Sequence, residues 1–248
     1  MGSFNYLVTG AGRDIGQAIA VALARSGSFG ILHHSDSQEG AKQTLKSVRD
    51  KGGDGVVMQA DFRCSREVAL FGSVVRQTLD GRKLTALVHN SAFTSASVAG
   101  ELDSSALTDV LSVNVLAPYL ITDSLSTELA DAGSIVAISI AATNKVFSPD
   151  FGFFAASKAA LETMVKNWAA QFGSRQIRAN AVAPGVIDVN FRSNLLKDED
   201  FRRSLESGTA LGRPGTPDDV ADLVKFLTSP ESRWITGQTI EASGGWKL

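Results

Sequence analysis

The run Thr9-Gly10-Ala11-Gly12-Arg13-Asp14-Ile15-Gly16 follows an apolar segment of strand length and leads straight into an amphipathic stretch. Glycines there let backbone N–H groups approach an anion, and a helix starting at the end of the turn adds the positive end of its dipole. Such a turn serves to hold phosphate, so Gly10, Gly12, Arg13, Asp14, Ile15 and Gly16 are candidate ligand-binding residues. Asp14 is the anomaly. A carboxylate 4 Å from a phosphate charge opposes binding by about 1 kcal/mol in water, or about 4 kcal/mol at an effective dielectric of 20. Arg13 beside it offsets that penalty. Two readings stand: Asp14 caps the helix or faces solvent while the anion binds, or it leaves the site weakened or empty.

Further along, Asp150 lies four residues before Phe154 and beside Pro149. It reads either as an acid or base reaching a pocket, or as a residue that starts a helix. Phe147, Phe151, Phe153 and Phe154 cluster there, lining an apolar pocket or packing a helix start. With three histidines and one cysteine, a metal site has no support. Cys64 has no partner for an intrachain disulfide, which fits a reducing compartment.

The elements that must position these groups alternate along the whole chain. Strand-like segments are Phe4–Thr9, Phe29–His33, Val56–Ala60, Ala86–His89, Ser134–Ile138, Ala179–Val182 and Thr239–Ala242. Helical stretches are Gly16–Ser26, Ser37–Lys51, Arg66–Leu79, Leu107–Ala130, Phe153–Gly173 and Pro217–Leu227. This rhythm predicts an α/β fold: one doubly wound, parallel, seven-stranded sheet with helices on both faces, in a single domain over 1–248. Phe29–Leu32 and Ile135–Ile138 are apolar throughout, as strands covered on both faces should be. The polar segment 190–212, with Lys197-Asp198-Glu199-Asp200, reads as a solvated helical excursion or as a lid over a substrate site. A net charge of −2 with scattered basic residues argues against nucleic acid and anionic membrane. No apolar run approaches the ~18 residues of a membrane span, and a strand from residue 4 leaves no room for a cleaved signal. The expected setting is cytoplasmic.

At this point the landmarks add up to a resemblance. Thr9-Gly10…Ile15-Gly16 is similar to the phosphate turn of short-chain dehydrogenases/reductases, with Asp14 replacing its middle glycine. His89-Asn90-Ser91-Ala92, Val113-Asn114-Val115, Phe154…Lys158, Pro184-Gly185-Val186-Ile187, Ile235-Thr236-Gly237-Gln238 and Gly244-Gly245 follow in family order and spacing. The resemblance spans essentially the whole chain, is greatest to oxoacyl-carrier-protein reductases, and implies a Rossmann fold binding a nicotinamide dinucleotide. It assigns adenine contact to Asp61, further cofactor contacts to Asn90 and Lys158, and the nicotinamide side to Pro184, Gly185 and Ile187. Val189 stands where a carboxamide-binding threonine is usual. The second strand ends Leu32-His33-His34-Ser35 without an acid for a ribose 2′-hydroxyl, and Asp36 comes too late. With Arg13 at a position often basic in NADP-preferring relatives, NADP(H) is expected over NAD(H), bound weakly or not at all if Asp14 interferes. His33 and His34 divide evenly between phosphate contacts and ordinary strand-end residues.

The family reduces carbonyls with a tyrosine acid, a lysine four residues on, a serine about thirteen upstream, and an asparagine. Here Asn114 and Lys158 are kept. Phe154 occupies the tyrosine position, and Ile140 or Ala141 the serine position. Ser139 and Asp150 are the substitute donors to examine. Three functions follow: an atypical NADP(H)-linked reductase of a small-molecule carbonyl, a non-redox cyclase or isomerase on the same scaffold, or a silent regulatory subunit partnering an active relative. The resemblance also implies a homodimer or homotetramer.

Overall fold

The computed structural model describes residues 4–95, 98, 103–189 and 197–248. Seven parallel strands form one sheet in the order β3-β2-β1-β4-β5-β6-β7. They are β1 Asn5–Val8, β2 Phe29–His34, β3 Asp54–Gln59, β4 Leu84–His89, β5 Leu129–Ile138, β6 Arg178–Pro184 and β7 Thr239–Ala242. The order reverses between β1 and β4, and that crevice at the carboxyl edge is where such sheets bind ligands.

Helices α1 Asp14–Leu23, α2 Gln38–Asp50, α3 Ser65–Leu79, α4 Ser104–Leu111, α5 Ala117–Ser124, α6 Gly152–Phe172, α7 Glu199–Ser207 and α8 Pro217–Leu227 cover both faces. One core layer joins Phe71 and Val75 of α3, Ile121 of α5, and Leu161 and Trp168 of α6 to the sheet. The opposite layer is built from Ile19 of α1, Val48 of α2, and Val220 and Val224 of α8. Apolar strands between two such layers are the reason β2 and β5 lack alternation. The fold therefore agrees with the sequence reading.

The elements differ from expectation in two places. The helix expected over Leu107–Ala130 ends at Ser124, and Leu129 and Ala130 already belong to β5. Leu129 pairs with Leu84, but Ser134 pairs with Ala86, so β5 bulges between these points with Ala132 at a φ of 58°. Between α4 and α5 the chain widens into a π-helical turn at Ser112–Leu116, centred on Asn114. The resulting continuous helical stretch Ser104–Ser124 is long and apolar enough to cross a membrane by length and composition, which no unbroken apolar run in the sequence suggests. One side of it packs on α3 and α6; Leu116 and Tyr119 face outward, each more than half exposed. The proposed lid falls partly outside the described residues; of 190–212, only 197–212 is described.

Gly40 shows how tightly α2 meets the phosphate turn: a β-carbon there would stand 2.0 Å from the Gly12 carbonyl oxygen. That contact is backbone against backbone and has no flexible side chain to give way. Gly40→Ala is expected to lower the unfolding free energy by about 3 kcal/mol, the upper range for overpacking. Urea denaturation measures it; an unchanged midpoint would mean that α2 shifts freely.

Candidate active site

Three strand ends are fastened to one another at the carboxyl edge. Thr9 Oγ1 accepts from the backbone N–H of Asn90 at 2.9 Å and of Ser91 at 3.0 Å. Asn90 Nδ2 returns two hydrogen bonds, to the carbonyls of Thr9 at 3.0 Å and Gly10 at 3.1 Å. From β2, His33 Nδ1 accepts the Gly10 N–H at 3.1 Å, and its carbonyl accepts the Ala11 N–H at 2.7 Å. With Nδ1 as acceptor, the other ring nitrogen donates to the Ala60 carbonyl at 3.0 Å. The imidazole stacks on Phe62 at 4.0 Å between centroids, and burial pushes its pKa down to about 4, so it is neutral. Gly16 closes the turn: a β-carbon would lie 2.0 Å from the Gly10 carbonyl oxygen.

Asp14 opens α1 with a φ of 50°, in the left-handed region that favours glycine and tolerates aspartate better than most residues. This conformation explains the glycine expected at that position. Asp14 lines a cleft of about 830 Å³ between α1 and α8, together with Gln17, Asp188 and Asp218. Arg13 lines the same cleft and also reaches across the turn. Its guanidinium lies 3.6 Å from Asp36 across the mouth of the turn, and both groups are exposed. Such a pair is weak and easily exchanged for another anion. Asp61 is held bidentately by Arg63, at 3.0 and 2.7 Å, which keeps its carboxyl below the usual range.

Lys158 is buried in α6, where its ammonium donates to the Ile138 carbonyl at 2.8 Å. Burial lowers its pKa to about 8. Its nitrogen lies 5.7 Å from the Phe154 ring centroid, one helical turn back. Asn114 is also buried. Its amide accepts from Phe93 N and donates to Phe93 O, both at 2.9 Å, and donates to Ser157 Oγ at 3.0 Å. The π-helical turn and α6 are thus pinned together behind Lys158.

Ser139 is overturned as a substitute donor. Its hydroxyl donates to Glu162 Oε1 at 2.5 Å, and Thr143 shares that acceptor at 3.0 Å. Alternation along the extended chain turns residues 139 and 140 to opposite sides, so Ile140 takes the recess. Both Ile140 and Ala141 line that recess with Phe147, Phe151, Val186 and Trp246, and Pro184 and Gly185 complete it. Gly185 N–H donates to Ala242 O at 3.1 Å, while Ile187 is buried and bridged to Gly215. Asp150 sits in the short 3-10 turn before α6 and accepts from the Ser148 hydroxyl; it is not in the recess wall. Among the described residues no cluster of His, Cys, Asp and Glu could hold a metal.

The arrangement fits a phosphate-bearing dinucleotide. The start of α1 has no side-chain cap, as is also true of α2, α3 and α6, and it follows directly on the glycine turn. First-turn N–H groups have no intrahelical acceptor and suit an anion. His34, the last residue of β2, is buried with Nδ1 unpaired among the described residues. Sequence reading missed the anchoring role of His33, the acceptor Glu162, and the wall formed by Trp246 and Val186. His33 alone carried a signal, as one of two adjacent histidines ending an apolar strand.

Comparison with known proteins places this geometry. Residues 10–247 match a family described as enoyl-(acyl carrier protein) reductase. An uncharacterized oxidoreductase of Methylorubrum extorquens is 34% identical over 240 residues, covering 96% of each chain. A hydroxynaphthalene reductase-like protein of Metarhizium brunneum is 30% identical over 96% of this chain and 93% of its own. Among solved structures, the angucycline C-6 ketoreductase LanV with bound NADP superposes with a TM-score of 0.91 at 31% identity, covering 100% of this chain and 98% of its own. A short-chain dehydrogenase of Burkholderia cenocepacia in complex with NADP gives 0.89 at 30% identity, covering 98% and 97%.

The neutral His33 makes the turn acid-sensitive. Unfolded, the imidazole takes its proton near pH 6.5; folded, near 4. Between those values the unfolded chain binds the extra proton, so stability is full above pH 6.5 and falls as pH drops towards 4. The loss from His33 is up to about 3 kcal/mol. Buried His89, pushed down to about 3, adds in the same direction. Urea midpoints at pH 7 and pH 5 measure this, and equal values would contradict it.

Proposed function

The chain belongs to the short-chain dehydrogenase/reductase family, and from that premise we propose that it is an NADP(H)-linked carbonyl reductase working without the family's tyrosine and serine. The observation that carries this reading is the pairing of a fully fastened phosphate turn with a buried, partnered Lys158. A decaying site has no reason to keep a buried ammonium, because burial of a charge is costly. NADP-bound neighbours of the same architecture support it.

In this reading Gly10, Gly12, Ile15 and Gly16 present backbone to the pyrophosphate, and Arg13 exchanges Asp36 for a 2′-phosphate. Asp61 and Asn90 serve the adenosine side, Lys158 the nicotinamide ribose, and Pro184, Gly185 and Ile187 the ring. A nicotinamide bound there supplies or accepts a hydride. Ile140 and Phe154 shape the recess and exclude water, but neither moves a proton. Losing a general acid costs roughly 10²–10⁴ in rate, and losing an oxyanion donor roughly 10²–10³, not additively. The same two residues favour a second reading, conversion of a substrate with no net redox change; it predicts product at constant nicotinamide absorbance.

The outward stripe of Leu111, Leu116, Tyr119 and Leu120 supports assembly with a second copy, as a homodimer or homotetramer. A cytoplasmic setting is in keeping with the single, exposed Cys64.

Calorimetric titration tests the proposal. NADPH is expected to bind more tightly than NADH. Arg13→Ala should weaken NADPH by about 10–100-fold, the worth of one charged hydrogen bond, and leave NADH unchanged. No heat up to millimolar NADPH removes the reductase reading.

A further inference from the structure

Gly244 and Gly245, the last of the sequence landmarks, both take a positive φ, 64° and 76°, which lets the chain turn sharply after β7. Residues 243–247 then join three segments that are far apart in sequence. The first is the stretch after α7. Leu211 N–H donates to the Gly244 carbonyl at 3.0 Å, and Lys247 N–H donates to the Gly208 carbonyl at 2.8 Å. Thr209 and Trp246 pair between them as an antiparallel bridge. The fit is close: a β-carbon on Gly245 would lie 2.8 Å from that of Ala210.

The second segment is the loop before α6. The Lys145 ammonium donates to the Trp246 carbonyl and to Glu241 of β7, both at 2.7 Å. Returning the contact, the Lys247 ammonium donates to the Val146 carbonyl at 2.7 Å. The third segment is the turn at 184–187. Gly185 donates to Ala242 as described, and a β-carbon on Gly185 would lie 2.9 Å from Ser243 Cα. Next to it, Val186 packs with buried Trp246, Ala141 and Leu205 in one cluster. The glycine turn at 9–16 is fastened by other means, to β2 through His33 and to β4 through Asn90. The two ends of the carboxyl edge are therefore held by separate devices.

We propose, resting on the NADP(H) reading above, that residues 243–247 are a clasp that sets the 184–187 turn and so orients the nicotinamide half of the dinucleotide, with Trp246 and Lys145 as positioning residues. Both act through Val186 rather than on the dinucleotide itself. Trp246 fixes where Val186 lies, because a close-packed cluster transmits a displacement of one member to the next. Lys145 fixes where Trp246 lies, because its two charge-assisted hydrogen bonds hold β7 and the tail at one spacing. A misplacement of about 1 Å at a reacting ring is enough to cost roughly 10²-fold in rate, so such support matters at a distance.

The test compares NADPH with adenosine 2′,5′-bisphosphate, which has the phosphate-bearing adenosine end and no nicotinamide, by calorimetric titration. In Trp246→Ala, NADPH should bind at least about tenfold more weakly, while the bisphosphate stays within about twofold. Trp246→Phe keeps a ring in the cluster and should hold NADPH within about threefold. Lys145→Met, which keeps the stem and removes both donors, should weaken NADPH about three- to tenfold, and Lys145→Arg should restore it. Amide exchange in Trp246→Ala should quicken at 185–187 and 208–211 and stay unchanged at 10–16. Undiminished NADPH affinity in a folded Trp246→Ala would overturn the proposal. So would equal losses on both ligands, the mark of general loosening. If Trp246→Ala does not fold, the Lys145 variants decide by the same comparison. NADPH binding that is insensitive to both substitutions sinks the clasp alone, whereas an unaltered protein that does not bind NADPH sinks the reading beneath it.

Discussion

A carbonyl oxygen that leaves no room for a β-carbon governs this molecule. The Gly10 carbonyl lies against Gly16, and the Gly12 carbonyl against Gly40, each 2.0 Å from where a β-carbon would be. These two approaches bring the start of α1, the end of β1 and the start of α2 to one point. Hydrogen bonds from Asn90 and to His33 then lock β4 and β2 onto the same turn. The carboxyl edge is therefore rigid before any ligand arrives, which is what preorganised anion binding needs.

The two halves of the site have been treated differently. Near Lys158 polar groups are paired: Asn114 holds the Phe93 backbone and Ser157, and Lys158 holds the Ile138 carbonyl. Around the recess the described side chains are apolar, with Ile140, Phe151 and a set of rings around Phe147. Phe154 packs there as a buried ring without a hydroxyl. Asp14 is a substitution within the phosphate turn. It adopts the left-handed backbone that the turn demands, and lines the cleft between α1 and α8.

Much of this was legible in the sequence because it is local. The alternation of apolar strands and amphipathic helices gave all seven strands, and the glycine turn announced its anion site by position alone. What escaped was set by distant pairing. The start of β5 at Leu129 depends on Leu84, and its bulge has no local mark. The direction of Ser139 depends on which face Glu162 approaches, twenty-three residues away on α6. Arg13 lies beside Asp14 in sequence yet pairs with Asp36, because the turn carries its side chain across to the β2 end. Trp246 enters the recess from the far end of the chain, and no spacing rule connects it to Phe147.

The central proposal is that the fastened glycine turn holds NADP(H) beside a recess whose described wall is apolar. Hydrogen exchange, with and without NADP+, tests the cradle where it lies. The account predicts slowed exchange at the backbone of residues 10–16 and 184–187, with α3 unchanged. Exchange in the glycine turn that is indifferent to NADP+ at millimolar concentration would contradict it.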